Sequence, residues 1–278
     1  MFKANKKRIL ALAVLPNGDL VSGGDDNKIR IWNINDGLIK KTLNGHTGSI
    51  RSFAVLDANC LISASEDATI KMWNLNAETL AKTLTGHKSA VKSLVLLKNG
   101  DLASGADDKM IKIWYLDKSA IKRTLTSHAG TVWSLVQLNN GDLVSASSDN
   151  TIKIWDTEKG IVKRTLTGHM SHVFALVLLE SGSLVSSSDD KTIKIWNVED
   201  GSVVRTLDGH TEYVFALKVF ENGDLASGSE DGTIKIWNLA DGTLKKSIFN
   251  KVPVYALESL ENGDLVCGGS EGKINIWE

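Results

Sequence analysis

The sequence predicts an all-β fold in which seven copies of a four-stranded antiparallel unit pack side by side around a central axis. Three observations lead there. Trp32, Trp73, Trp114, Trp155, Trp196, Trp237 and Trp277 recur at a step of 41 residues, closing to 40 at the last, and a period of that size belongs to repeat proteins that build rings or solenoids. The segment 224–237, DLASGSEDGTIKIW, has near-copies ending at each of these tryptophans, and its Thr-Ile-Lys-Ile-Trp end alternates with the two-residue period of a strand buried on one face. Finally, the second residue after the first aliphatic of each unit is always small (Ala11, Ser52, Ser93, Ser134, Ala175, Ala216, Ala256), as expected where strands crowd towards an axis.

The second unit shows the four strands, termed a to d, at 50–56, 61–64, 69–73 and 80–84. The a-to-b connection is Asn-Gly-Asp at Asn17-Gly18-Asp19 and again before Asp101, Asp142, Asp224 and Asp264. Asn-Gly is a strong hairpin signal because both residues tolerate positive φ. Ser181-Gly182 keeps the glycine, whereas Ala58-Asn59 loses it, so the turn of the second unit is expected to differ. Strand d carries Lys40, Lys41, Lys82, Lys122, Arg123, Lys163, Arg164, Arg205, Lys245 and Lys246. Cations on an outer strand discourage edge-to-edge pairing, and a solvated edge is the expectation. A nucleic-acid belt is disfavoured, because acidic loops such as Glu199-Asp200 interrupt it and stacking aromatics are missing. Each sheet is apolar on both faces and cannot bury them alone, which radial packing of seven sheets solves.

An unbroken repeat from end to end makes residues 1–278 one domain, with units ending near 32, 73, 114, 155, 196, 237 and 277. Lys plus Arg (32) nearly balances Asp plus Glu (33), so no global field draws the chain to nucleic acid or an anionic membrane. Cys60 and Cys267 lie in distant units, which implies no disulfide framework and points to a reducing compartment, the cytoplasm with the nucleus left open. Lys3, Lys6, Lys7 and Arg8 before the apolar run ILALAVL have the look of a signal peptide. Register argues otherwise, since 9–15 aligns with the internal strands at 50–56 and 91–97. No apolar run approaches the ~20 residues of a membrane span.

Serine, aspartate and histidine stand 10, 6 and 27 residues before the tryptophan in five units. The sets are His46, Ser63, Asp67, Trp73; His87, Ser104, Asp108, Trp114; His128, Ser145, Asp149, Trp155; His169, Ser186, Asp190, Trp196; and His210, Ser227, Asp231, Trp237. Such sets raise the question of a hydrolase. A catalytic site needs one set rather than five, and each serine lies within strand b, without the Gly-x-Ser-x-Gly elbow that exposes a nucleophile. A large tryptophan anchors a core only when its indole N–H finds an acceptor, and the serine is placed to supply it. No metal cluster, phosphate-binding loop or calcium loop is present, so no cofactor is expected.

The Trp-terminated unit headed by a Gly-His dipeptide resembles the tryptophan-aspartate repeat family of beta-propellers over essentially the whole chain. The resemblance implies a seven-bladed propeller, a buried Trp-Ser-His-Asp hydrogen-bond chain in each blade, and a non-catalytic scaffold binding proteins or peptides, as a module of a larger signalling or adaptor protein. Departures fall where the ring closes. The first unit has Asn5 in place of histidine, and the last has Asn250, Cys267 and Glu271 in place of histidine, serine and aspartate. Trp is followed by Asn four times and by Asp only at Asp156. The chain reaches Glu278 one residue after the last tryptophan, so the seventh blade lacks an outer strand of its own. Met1 and Phe2 offer at most a stub, so either a parent protein has residues before Met1 or after Glu278, or blade seven is three-stranded with its edge at Lys273–Trp277 open to a partner or a second copy, the protein otherwise being a monomer.

Positions that vary among near-identical units are free for recognition. One follows the first aliphatic of strand a and reads Leu10, Arg51, Lys92, Trp133, Phe174, Phe215 and Tyr255; by family geometry it lies at the top mouth of the channel. The other precedes the tetrad aspartate and reads Asp25, Glu66, Asp107, Ser148, Asp189, Glu230 and Ser270. With His172 and Tyr213 in the adjoining loops, they predict a half-aromatic mouth with a broken acidic rim. A Lys or Arg of a peptide suits it, by cation–π contact with Trp133, Phe174, Phe215 or Tyr255 and pairing to Asp189 or Glu230.

Overall fold

The computed structural model describes residues 7–278 in full and, of the first six, only the backbone of Phe2–Lys3. The alternating segments form strands as the sequence predicts: the second unit runs Ile50–Asp57, Cys60–Ser65, Thr69–Asn74 and Thr79–Thr85. Six units make four-stranded antiparallel sheets in sequence order, a-b-c-d. Each strand a lies against strand a of the neighbouring blades, and that of the seventh lies against that of the first, which closes a seven-bladed ring. No helix among the described residues is long and apolar enough to cross a membrane.

The core is divided among the blade interfaces. Val21, Ile29, Ile31 and Leu43 of blade one pack on Ile50, Leu61 and Trp73 of blade two, and the same grouping recurs around the ring up to Ile9, Leu20 and Trp32 against Val266 and Ile274. Each tryptophan thus seals the joint with the preceding blade. At three joints the small residue of strand a adds a polar tie: the hydroxyls of Ser52, Ser93 and Ser134 accept the backbone N–H of Leu94, Leu135 and Leu176 of the next blade at 3.0–3.1 Å.

The a-to-b turns correct one expectation. Gly18 has φ of +80° but Asn17 has no positive φ; Gly18 N–H bonds to Leu15 O and Leu15 N–H to Asp19 O, both at 2.9 Å. This three-residue loop ends in a left-handed glycine. Asparagine serves through its side chain, whose Oδ1 accepts Asp19 N–H at 3.1 Å. In blade two strand a instead runs on to Asp57, which pairs with Cys60 around Ala58-Asn59, so that turn differs as expected. Asparagine after tryptophan likewise substitutes for aspartate by supplying an acceptor to the c-to-d turn, Asn33 Oδ1 taking Asn35 N–H at 3.0 Å as Asp156 Oδ1 takes Lys159 N–H at 2.9 Å.

The cations of strand d form clamps rather than a merely solvated edge. Lys82 Nζ donates to the carbonyls of Leu116 and Asp117 at 3.1 Å, Arg164 to those of Glu199 and Asp200 at 2.7 and 2.9 Å, and Arg205 to that of Asp241, each in the c-to-d turn of the next blade. A second row holds its own blade's a-to-b turn: Lys40 pairs with Asp19, Lys122 with Asp101, Lys163 with Asp142 and Lys245 with Asp224, at 2.6–2.9 Å.

The seventh blade has three strands of its own. The expected open edge is partly closed by the stub Phe2–Lys3, which pairs with Ile274 and Lys273; among the described residues 275–277 have no outer neighbour. The Asn5 position lies outside the described residues.

Candidate functional site: the channel mouth

A bulge builds the mouth. In every blade the register of strand a slips between the first aliphatic and the small residue, as between Val91 and Ser93 or Val173 and Ala175. The residue in between has no cross-strand partner, and a bulge re-aims its side chain. Seven such residues, Leu10, Arg51, Lys92, Trp133, Phe174, Phe215 and Tyr255, together with Arg8, line one opening of about 300 Å³. All seven positions of the strand-a column therefore meet in one place, while none of the rim column lines the opening.

The lining has two halves. Trp133, Phe174, Phe215 and Tyr255 form a continuous arc, with successive ring centroids 5.4, 5.1 and 5.3 Å apart. Tilted and edge-to-face contacts at such spacing hold rings firmly. His172 and Tyr213 stand edge-on to Phe174 and Phe215 at 6.2 Å. Cations close both ends of the arc: Lys92 Nζ lies 5.1 Å from the Trp133 ring and the Arg8 guanidinium 5.6 Å from that of Tyr255. The opposite half is cationic and internally paired. Arg51 Nε donates to Glu66 Oε1 at 2.8 Å, Lys92 bridges Glu66 and Asp107 at 3.2 Å each, and Arg8 pairs with Asp25 at 2.5 Å. Although burial pushes the Glu66 carboxyl up, Arg51 and Lys92 outweigh it and hold the group down at about 2.

Arg8 is the mouth residue that sequence reasoning missed. It occupies the position just before the first aliphatic, the same one that carries His172 and Tyr213, so aligning that column would have found it. On the rim, Asp189 accepts the Ser171 hydroxyl at 2.8 Å with His172 Nδ1 at 3.8 Å. Glu230 donates its backbone N–H to Tyr213 O at 2.9 Å, but its carboxyl has no hydrogen bond or ion pair among the described residues, and burial pushes it up.

The Ser-His-Asp sets lie away from this opening, inside the blades. In all five the indole N–H donates to serine Oγ at 2.8 Å, serine Oγ lies 2.7–2.8 Å from histidine Nε2, and histidine Nδ1 lies 2.7–2.9 Å from the aspartate. The indole can only donate and the carboxylate can only accept, so with a singly protonated ring the protons run one way, Trp to Ser to His to Asp. The serines have no exposed surface. Blade one keeps the Trp32–Ser22 bond at 2.8 Å. Blade seven substitutes a softer chain: Trp277 Nε1 reaches Cys267 Sγ at 3.4 Å, and Asn250 Oδ1 accepts from both Cys267 and Asn275. Glu271 turns outward to Lys273 at 2.6 Å.

Comparison with known proteins agrees with this architecture. The family described as WD domain, G-beta repeat matches residues 1–33, 37–74, 78–115, 119–156, 160–197 and 201–238. The chain is similar to the solved WD40 beta propeller domain of Doa1, with a TM-score of 0.91 and 28% identity over 100% of this chain and 95% of that one. No curated protein sequence matches it.

Proposed function

The chain belongs to the WD domain, G-beta repeat family, whose members are generally protein-interaction scaffolds, and from that premise we propose that it is a non-catalytic platform for a protein or peptide partner. The partner engages the channel mouth and the surrounding top face, and the platform serves a larger signalling or adaptor assembly. The observation that carries this reading is the arc Trp133-Phe174-Phe215-Tyr255, rigid, partly exposed and flanked by charge. Preordered aromatic groups beside charged ones are how interface hot spots are built, because they bind without losing much side-chain freedom.

The competing classes have less support. A hydrolase needs a reachable nucleophile, whereas the tetrad serines are enclosed and already accept an indole N–H. Nucleic acid needs free cations, whereas those of strand d are engaged by the next blade's carbonyls and by turn aspartates. Among the described residues, self-association through blade seven has the short edge at 275–277 to use. Both cysteines are free, which suits a reducing intracellular compartment.

Affinity capture with the wild-type chain and with Phe174→Ala/Phe215→Ala tests the proposal. The double variant is expected to lose its partner while melting at close to the wild-type temperature. Undiminished capture by a folded double variant overturns the mouth as the binding site.

A further inference from the structure

In blades two to four the mouth residue and the rim residue fifteen positions later form a pair: Arg51 with Glu66, Lys92 with Asp107, Trp133 Nε1 with Ser148 Oγ at 2.7 Å. In blades one, five and six the mouth residue has no donor although the rim keeps its carboxylate; in blade one Arg8 answers Asp25 instead. In blades five and six the carboxylates are Asp189 and Glu230 and the mouth residues Phe174 and Phe215. Asp189 is left with the Ser171 hydroxyl at 2.8 Å and His172 Nδ1 at 3.8 Å, and the half-buried Glu230 carboxylate with no hydrogen bond, so among the described residues neither is paired with a lysine or arginine.

Each end of the arc shows how a rim carboxylate is paired beside a ring. Lys92 sits over Trp133 and Arg8 over Tyr255, each also paired with a rim carboxylate. Among the described residues no lysine or arginine lies over Phe174 or Phe215, in the middle. Lys191, in the b-to-c turn of blade five, is 3.4 Å from Glu212 and so already engaged. We propose that the Phe174 and Phe215 sector of the mouth, with Asp189 and Glu230 on the rim of the same two blades, is the seat for a cationic side chain of the partner, a guanidinium fitting it best, with an apolar residue beside it in the partner's sequence. A guanidinium lies flat on an aromatic face while its five N–H groups reach more than one carboxylate. The apolar neighbour follows from Met170, 83% exposed, and Tyr213, 41% exposed, on the same two blades. The inference rests on the mouth being the binding site and narrows it to one sector and one ligand chemistry.

The test uses the full chain and two acetylated, amidated peptides, Ala-Leu-Arg-Leu-Ala and its counterpart with citrulline, the neutral isostere, for arginine. Both are titrated to millimolar concentration by calorimetry or NMR. The arginine peptide is expected to bind about tenfold more tightly or better, and Asp189→Asn/Glu230→Gln to remove that preference. Glu230→Gln alone gives a partial loss and guards against misfolding of the double variant. Equal binding of the two peptides, no binding of either, or a preference that survives in the folded double variant overturns the seat. Partner capture that needs Phe174 and Phe215 but ignores Asp189 and Glu230 leaves the mouth as the binding site and refutes only the cationic anchor.

Discussion

At the scale of single residues, the tetrads show how a constellation shaped like a catalytic triad becomes a structural member. Ser186 Oγ accepts from Trp196 and faces His169 Nε2, so one hydroxyl satisfies two buried groups. Ser186→Ala should destabilise the protein by about 1–3 kcal/mol, because it strands both; an unchanged denaturant midpoint would count against the network. Acid should act on the same chains. Burial holds His46, His87 and His210 below the ordinary 6.5, outweighing the attraction of their aspartates. Burial pushes Asp231 up, but bonds from Thr233, His210 and the Thr211 N–H bring it down to about 2. For both kinds of group the unfolded chain binds more protons, so stability is greatest above 6.5 and is lost as pH falls. The loss begins below 6.5, where unfolded histidines take up protons, and continues below 3.8 as unfolded aspartates do. Denaturation midpoints followed from neutrality into acid check this; a profile flat down to the carboxylate range contradicts it.

At the scale of elements, the lysine–aspartate rows explain a correlation inside the chain. Blades one, three, four and six have an aspartate in the a-to-b turn and a lysine on strand d. Blade five has Ser183 and Val204 at these places, and blade two has Cys60 and Ala81; both members are missing together. A lone lysine gains little there, whereas blade seven keeps Asp264 without a lysine among the described residues, held by Asn262 Nδ2 at 2.9 Å, so it is the lysine that is meaningful only with its partner. Installing the pair in blade five, Ser183→Asp with Val204→Lys, should show a favourable coupling of about 0.2–1 kcal/mol in a double-mutant cycle, as partly exposed ion pairs do. Additive single effects would mean that the row contributes nothing to stability.

At the scale of the whole molecule, closure is the uneven part of an otherwise regular ring. Blade seven is joined by a two-residue stub, carries a sulfur in place of the serine hydroxyl, and leaves Trp277 less buried than the five tetrad tryptophans. Weaker sealing lowers the free energy of local opening. Amides of Lys273–Trp277 should therefore exchange with solvent faster than those of the equivalent strand Thr233–Trp237. Equal protection of the two strands would show that the stub and the asparagine network hold blade seven as well as a full strand does. The mouth is uneven in the same way: blades four to seven supply aromatic rings and blades one to three supply paired charge, which gives a seven-fold frame a single orientation towards a ligand.

The repeat period, the strands, the tryptophan anchors and the crowding of small residues at the axis were legible in the amino-acid sequence, because each is a local pattern copied at every turn of the ring. So were the mouth positions, since Trp133, Phe174, Phe215 and Tyr255 vary where their neighbours do not. Tertiary structure alone decided how those side chains are aimed, because a bulge is a mismatch between two strands and leaves no mark on one of them. It also decided that Lys92 and Arg8 cap the aromatic arc and that strand d clamps the next blade's turn. Those contacts join residues from separate repeats, and only the closed ring sets the distances between them.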